Sequence, residues 1–482
     1  MHPFGAAVNA TPAATARSLA TVGLLGVAIC HTDASAQIVF DPPISIVLPT
    51  EHIPTSLVPG DLNGDGLVDL TITGRSTDGL LYLLRANAAG GFALPEAIEL
   101  GVPTDDGLVQ DLDGDGVADL LLAARTQLGK LVTLRGLGGG GGGPPEFTPL
   151  EREPRDVVLG DFDGDGDPDL AAVNYGSGSI STLRIAAGGL ETIEHRTIGR
   201  ESRAICYPQE THAGDLDGDG RPELVVPTIG NGRLQVLRFD AGSMAVPNPI
   251  GIRTPLVGDQ RTAITTADLV DLDGDGDLDA LTPTILLGLP QAVVLYRNDG
   301  TGDLLDRSVV TTSFIGFAWC ATAADFDADG RVDLVAGMAL PGMLTVLRNE
   351  STGLPEGELT YAFPPVPIFE GGFFRDLLPI DFDRDGRVDL AALDIATHTL
   401  QLFRNRSGEG GLAGLAAETG KGARLGGDPR VAPAARPSTP SSPIEPIADR
   451  NRDGRLDAAD LAIELSEWDG DGLGDRRGEG SR

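Results

Sequence analysis

Hydrophobic positions along this chain come in short runs, and the runs come in sets. Leu80-Leu-Tyr-Leu-Leu84, Leu131-Val-Thr-Leu134, Leu234-Gln-Val-Leu237 and Leu344-Thr-Val-Leu347 are compact apolar stretches. Each follows another such run, among them Leu70-Thr-Ile-Thr73, Leu170-Ala-Ala-Val173, Leu224-Val-Val226 and Leu334-Val-Ala336. A more proline-rich run comes next, as in Phe92-Ala-Leu-Pro95, Phe147-Thr-Pro149 and Tyr361-Ala-Phe-Pro364. Ahead of the set stands a fourth, as in Asp156-Val-Val-Leu159 and Phe373-Phe-Arg-Asp-Leu-Leu378. Runs this short, bounded by Gly, Pro and Asp, read as strands. Four strands in each unit of about 50 residues make one propeller blade.

Between the first and second run of every set stands one decapeptide. It reads Asp61-Leu-Asn-Gly-Asp-Gly-Leu-Val-Asp-Leu70 and starts again at Asp111, Asp161, Asp215, Asp271, Asp325 and Asp381, at intervals of 50, 50, 54, 56, 54 and 56 residues. Position 2 is always large and apolar and position 10 is Leu or, once, Ala280, so both ends of the loop are anchored in core. Oxygen side chains at positions 1, 3, 5 and 9 surround a Gly at position 6, where the chain turns sharply. This is the opening of an EF-hand-type loop, and hard oxygen donors at that density suit Ca2+ better than Mg2+.

The ligand sets are Asp61/Asn63/Asp65/Asp69, Asp111/Asp113/Asp115/Asp119, Asp161/Asp163/Asp165/Asp169 and Asp215/Asp217/Asp219/Glu223, then Asp271/Asp273/Asp275/Asp279, Asp325/Asp327/Asp329/Asp333 and Asp381/Asp383/Asp385/Asp389. Without a cation these carboxylates would repel one another.

The phrase Asp161-Phe-Asp-Gly-Asp-Gly-Asp-Pro-Asp-Leu170 and its neighbours resemble the FG-GAP/VCBS repeat of integrin α-subunit propellers and bacterial exported proteins. The resemblance covers residues 37–407 and implies an all-β, seven-bladed β-propeller with a structural calcium loop joining the first two strands of a blade. One departure is that every blade here has the loop, whereas integrin propellers carry it in only some. The family is functionally broad, so the resemblance implies fold and metal more than partner.

Charge and composition narrow the function. The chain has 482 residues, 66 Gly, 34 Pro, 5% aromatics and a net charge of −35. Such a surface repels nucleic acid and anionic membrane. A basic Arg17, the apolar run Leu19 to Cys30 and Ala34-Ser-Ala36 mark residues 1–36 as a signal peptide, implying a secreted or cell-surface protein. A lipoprotein cysteine at Cys30 is the weaker reading, because Ile29 stands where a small residue is wanted. Cys206 and Cys320 precede loops in blades that are not neighbours, so they read as free thiols. No HExxH, GxSxG or phosphate-binding loop appears; Gly138 to Gly143 is a flexible turn and His212 a structural histidine.

An Arg closes the third strand of every unit, at 85, 135, 184, 238, 297, 348 and 404. It reads as a counter-charge to the loop carboxylates; the alternative is a cationic ring for an anionic glycan. Residues 408–446 are a Pro/Gly/Ala/Ser-rich linker. In the tail, 447–482, Asp449, Asn451, Asp453, Asp457 and Asp460 repeat the loop grammar with position 12 added, then Leu461-Ala-Ile-Glu-Leu465. This EF-hand-like segment resembles half of a dockerin, and a second copy at Glu467/Asp469/Asp471/Asp475 is defective. One or two further Ca2+ ions and a cohesin-like partner follow from it.

Blade seven lacks a fourth strand of its own, and residues 38–48 are read as supplying it by pairing with 399–404. The expected role is a non-catalytic binding or adhesion module for an extracellular protein or glycan. The rivals are a calcium-dependent, lyase-like polysaccharide enzyme and a scaffold component docked through the tail.

Overall fold

A computed structural model describes residues 37–408, apart from 50–52, 77–78, 137–142, 187–188, 199–209, 229–232, 248–249, 254–262, 286–290, 305, 314–316, 341 and 356. The signal segment, Cys206, most of the Gly138–Gly143 run, the linker and the calcium tail lie outside the described residues. So does the basis for any Cys206–Cys320 bridge; Cys320 itself is a free, buried thiol.

The described residues form seven antiparallel sheets with no helix. Blade one runs Pro54–Gly60, Asp69–Gly74, Leu80–Leu84, Glu96–Glu99, in that spatial order. Blades two to six open with the inner strands Thr104–Gln110, Pro154–Gly160, His212–Gly214, Asp268–Val270 and Phe317–Ala324, and blade seven with Phe374–Ile380. In blade five a second inner piece, Ala263–Ile264, also pairs with Asp279–Ile285.

The second strand of a blade is its most buried element. Asp69–Gly74, Asp119–Ala124, Asp169–Asn174, Glu223–Thr228 and Asp389–Asp394 are buried along their whole length. Strand alternation sends its side chains to two different neighbours. Leu70 and Ile72 join Leu400 and Leu402 of blade seven in one apolar cluster, while Leu81 and Leu83 of the next strand meet Leu120 and Leu122 of blade two in another. Seven such clusters fill the seven blade–blade junctions. The core is therefore a ring of wedges, and the short apolar runs of the sequence are its staves.

Two expected outer strands start later than the sequence suggests. Blade one's fourth strand is Glu96–Glu99, not 92–95, and blade six's, expected to run from Tyr361 to Phe369, is Val366–Glu370. Phe92 and Tyr361 instead make single bridges to Ala86 and Asn349. Phe92 packs on Phe382 of blade seven, and the prolines that follow lack the donor a continuous ladder needs.

Blade seven takes its fourth strand from the other end of the chain. Ile44–Val47 lies antiparallel to Thr399–Phe403, with Ile44 opposite Leu402 and Val47 opposite Thr399. Ahead of it, Asp41 N donates to Arg404 O at 2.8 Å, Arg406 N donates to Val39 O at 2.7 Å, and Phe40 packs edge-on against Phe326 and Phe403.

Candidate metal loops and the axial cavity

Each acidic loop leaves an inner strand and enters the buried second strand. Its ends are fixed by apolar side chains: Leu62, Phe162, Leu216, Leu272 and Phe326 at position 2 are at most 1% exposed, and position 10 is buried in every loop. The turn between them needs the left-handed backbone region. Position 6 is Gly throughout, with φ between +81° and +98°, and position 4 is also left-handed, even where it is Ala328 (+57°) or Arg384 (+61°).

The carboxylates have divided roles. Position 1 curls over its own turn: Asp61 Oδ1 accepts from Gly64 N at 2.8 Å and Asp61 Oδ2 from Gly66 N at 2.8 Å. The same pairs recur at Asp111, Asp161, Asp215 and Asp271; in loops six and seven Asp325 and Asp381 keep the bond from position 6. Position 9 is a buried staple. Asp279 Oδ2 accepts from Leu272 N at 2.8 Å and its Oδ1 from Asn298 N at 2.7 Å, tying both ends of the loop to the third strand.

Burial is the main reason the position-9 acids are hard to ionise. It raises Asp169 and Asp389 to about 6, and Glu223, Asp279 and Asp333 to about 7, with neighbouring loop carboxylates adding to the effect.

Ligating oxygens of positions 1, 3 and 9 lie within 4.8 Å of one another in Asp161/Asp163/Asp169, Asp215/Asp217/Glu223, Asp271/Asp273/Asp279 and Asp325/Asp327/Asp333; in the second loop it is Asp111/Asp113/Asp115. Asp169 Oδ2, Asp327 Oδ1 and Asp389 Oδ2 are buried and accept no hydrogen bond. Crowded, desolvated, unfilled carboxylate oxygens are what a hard cation fits. These acidic clusters can hold metal ions.

Position 5 departs from the expected four-oxygen set. Asp115 joins its cluster, whereas Asp165, Asp219, Asp275 and Asp329 stand outside theirs. Asp65, Asp165 and Asp275 are exposed, and each caps its own turn instead. Their Oδ1 atoms accept from Leu67 N at 2.9 Å, Asp167 N at 3.0 Å and Asp277 N at 2.9 Å. The physical reason is local: an Asp side chain readily takes the backbone N–H two residues on, which holds this carboxylate at the rim of the loop. In loops three to six, then, the structure assembles three of the four oxygens that the spacing predicts. Loop two gathers its first three and leaves Asp119 as the buried staple.

All seven strand-closing arginines face the loop of their own blade. Arg135, Arg184, Arg238, Arg297 and Arg348 reach the position-3 carboxylates Asp113, Asp163, Asp217, Asp273 and Asp327 at 3.3, 2.8, 3.9, 2.6 and 3.5 Å. Arg404 pairs with Asp383, and with Asp385 at 3.5 Å. Arg85 turns to Asp69 at 3.3 Å, because position 3 of that loop is the neutral Asn63. A second set went unread in the sequence: Arg221, Arg331 and Arg387, at position 7, pair with Asp219, Asp329 and Asp385 at position 5.

Also missed was the Asn after the closing Arg. Asn298 Nδ2 donates to Leu216 O at 2.6 Å and Asn405 Nδ2 to Phe326 O at 2.7 Å, each reaching the loop of the preceding blade. The recurring Arg-Asn pair at 297–298, 348–349 and 404–405 was the available signal.

The inner strands enclose an axial cavity of about 570 Å³. Counting five residues back from each loop gives Ser56, Asp106, Asp156, Glu210, Thr266, Cys320 and Asp376, and all of them line it. Asp106 and Asp376 share the Ser56 hydroxyl, at 2.7 and 3.0 Å. His212 also lines the cavity, its Nε2 3.9 Å from Glu210.

One step further back, a much smaller cavity of about 20 Å³ is lined by Asp105, Arg155 and Arg375. Asp105 is clamped by Arg75 at 2.9 Å and Arg155 at 3.4 Å, and burial alone would raise its carboxyl, yet these cations hold it far below the usual range.

An FG-GAP-like repeat model matches residues 61–122, 111–172, 215–282 and 271–336, each stretch taking in two successive acidic loops. The chain belongs to the FG-GAP-like repeat family. Among solved structures it is similar to BBS1N in complex with ARL6DN, at 13% identity, TM-score 0.48, over 76% of this chain and 96% of that one. It is also similar to a protein from Lactobacillus plantarum, at 16% identity, TM-score 0.45, over 70% and 95%. No curated protein matches the chain. An FG-GAP propeller fits a binding or adhesion module, and among the described residues no helix is long and apolar enough to cross a membrane.

Proposed function

We propose that this chain is an exported, calcium-loaded FG-GAP propeller acting as a non-catalytic binding or adhesion module for an extracellular protein or glycan. The observation that carries it is the clustering of loop carboxylates in blade after blade, with buried oxygens that accept no hydrogen bond in blades three, six and seven. Calcium held by positions 1, 3 and 9, with position 5 turning in from the rim, would fasten each inner strand to the second strand and to the closing Arg. That structural use leaves the faces of the ring free for a partner. The lyase-like alternative asks for an Arg/Lys/His/Tyr cluster in the central depression. The axial cavity is lined by carboxylates, with His212 the one member of that set among its described lining residues, which favours binding over catalysis.

The test has two arms. Melting with calcium and with EDTA reads the metal, and an unchanged midpoint would refute it. Glycan-array and pull-down screens of the calcium-loaded protein read the partner; turnover of a polysaccharide by the purified chain would move it to the enzyme class. Deleting 447–482 tests the dockerin-like tail, which on this reading is not needed for binding by the propeller.

A further inference from the structure

The residues around the axis break the seven-fold repeat that the loops keep. The same position of the inner strand is Asp, Asp, Glu and Asp in blades two, three, four and seven, but Ser, Thr and Cys in the others. A purely structural position would be free to repeat; here four blades supply a carboxylate at that level and three do not, while blade five adds Asp268 two residues further along the lining.

These acids are outside the metal loops and poorly matched by cations. Ser56 stands between Asp106 and Asp376, and its single proton cannot serve both. Asp156 accepts backbone bonds from Val157 at 2.6 Å and Thr211 at 2.7 Å. Arg375 counters from the level below, where it also lies 5.4 Å from the Trp319 ring centre; Arg155 at that level is committed to Asp105 and to the Tyr175 ring at 4.4 Å. Burial, with repulsion from Asp376, raises Asp106 to about 7, and burial raises Asp156, Glu210 and Asp376 too.

A second, independent observation points at a ligand. Thr266 lines the same cavity, is only 6% exposed, and its hydroxyl has no hydrogen-bond partner. A buried hydroxyl without a partner is costly, so its place on a cavity wall asks for an occupant.

The shape of the cavity limits what that occupant is. Its volume is in the range of small-molecule sites and far exceeds one ion. From the carboxylates toward the metal-loop ends of the strands, the wall is mostly apolar, with Leu57, Val158, Leu269 and Pro379, and is broken by His212 and by Asp268, which accepts from the Thr322 hydroxyl at 3.0 Å. A bare divalent ion would leave most of this volume and its hydrocarbon lining unused. A planar guanidinium wants a two-oxygen fork from one carboxylate, whereas an ammonium directs three donors to separate acceptors on different strands.

We propose that the axial cavity binds an aliphatic ammonium group, its head held by Asp106, Asp156, Glu210, Asp376 and the Thr266 hydroxyl, its stem lying along the leucine and valine wall. The inference deepens the binding-module reading and rests on it. Two sources carry this chemistry, a free diamine and the lysine side chain of a partner.

The experiment is calorimetric titration of the calcium-loaded full chain at pH 8 with 1,5-diaminopentane, with Nα-acetyl-lysine methylamide, and with 1-pentanol. Saturable binding of an amine, and none of the alcohol, is the expected result; whichever amine binds tighter identifies the source. Asp106→Asn with Asp376→Asn should weaken amine binding by about tenfold or more, as loss of buried charge partners does. Glu210→Gln is the second variant should that pair fail to fold, with the same expectation.

Absence of saturable amine binding, equal binding of pentanol, or full affinity in a folded variant would overturn the proposal. Failure here is distinct from failure of the calcium reading. The variants should keep the wild-type response of the melting midpoint to EDTA, because none of the substituted residues belongs to a loop.

Discussion

Replacing Arg297 with Ala asks directly whether the closing arginines are counter-charges. Arg297 Nε donates to Asp273 Oδ2 at 2.6 Å, Nη1 donates to Gly357 O at 3.1 Å, and Nη2 donates to Pro355 O, so one guanidinium ties loop five to the following blade. The Arg side chain is 19% exposed and the Asp273 side chain 0%. Taking away one partner of a buried pair costs about 3–5 kcal/mol, because the other charge stays buried. With calcium in the loop the cation holds Asp273, and the loss shrinks to the two carbonyl bonds, about 1–3 kcal/mol. At roughly 2 cal/mol/K of unfolding entropy per residue over ~370 residues, these become falls in melting midpoint of about 4–6 °C in EDTA and about 1–4 °C in calcium. Arg184 makes the equivalent pair but is 42% exposed, so Arg184→Ala should cost about 1 kcal/mol or less. Calorimetric melts of both variants, with and without EDTA, decide the matter. Equal losses for Arg297→Ala in the two conditions, or equal losses for the two arginines, would refute the reasoning.

Chelation should act on the whole ring. At a hundredfold excess over Kd each site adds about 2.7 kcal/mol, so seven sites amount to roughly 19 kcal/mol and EDTA should lower the midpoint by about 25 °C; a shift of only a degree or two would mean the loops do not need metal. The axial carboxylates set a pH dependence. A raised folded pKa means that the folded chain keeps protons the unfolded chain has released, so this stability is full below about pH 4 and is lost as pH rises through about 7. In constant saturating calcium the protein should melt higher at pH 5 than at pH 8, Asp106 contributing at most about 3 kcal/mol over that interval. Asp106→Asn should flatten the profile measured from pH 5 to 8; an unaltered slope would show that other groups set it. Deleting residues 37–48 should expose the Thr399–Phe403 edge and give an aggregating product by light scattering. A monodisperse, cooperatively melting 50–407 fragment would contradict this.

The loops were legible in the sequence because their chemistry is local. Spacing alone put the acids on one turn and their apolar flanks in the core, and a backbone that needs Gly at position 6 writes itself into the text. Spacing did not say which acids converge: Asp165 and Asp275 share a turn with their neighbours yet spend an oxygen on its backbone. What was not legible otherwise depends on neighbours in space. The outer strands of blades one and six begin late because Phe92 and Tyr361 are claimed by contacts outside their own ladders, which no strand pattern records. Asn298 and Asn405 look like ordinary turn residues until the preceding blade is beside them. The axial acids were hidden differently. Each is one more Asp or Glu in or just before an inner strand, and only closing the ring brings four of them around one cavity.

That closure also dictates an order of events. Ser45 Oγ donates to Gln401 Oε1 and Val39 N donates to Ser407 Oγ across 356 and 368 residues of chain. A strand that enters first thus waits for a partner that arrives last, and the six blades between can assemble from near-neighbour contacts in the meantime. The slowest conformational search belongs to the final seam, since contacts of such long sequence separation are the costliest to find. Until it is made, Ile44–Val47 and Thr399–Phe403 are two unmatched edges at opposite ends of an open arc, so the time to seam formation, more than the strength of any blade, sets how long the nascent protein is exposed to self-association.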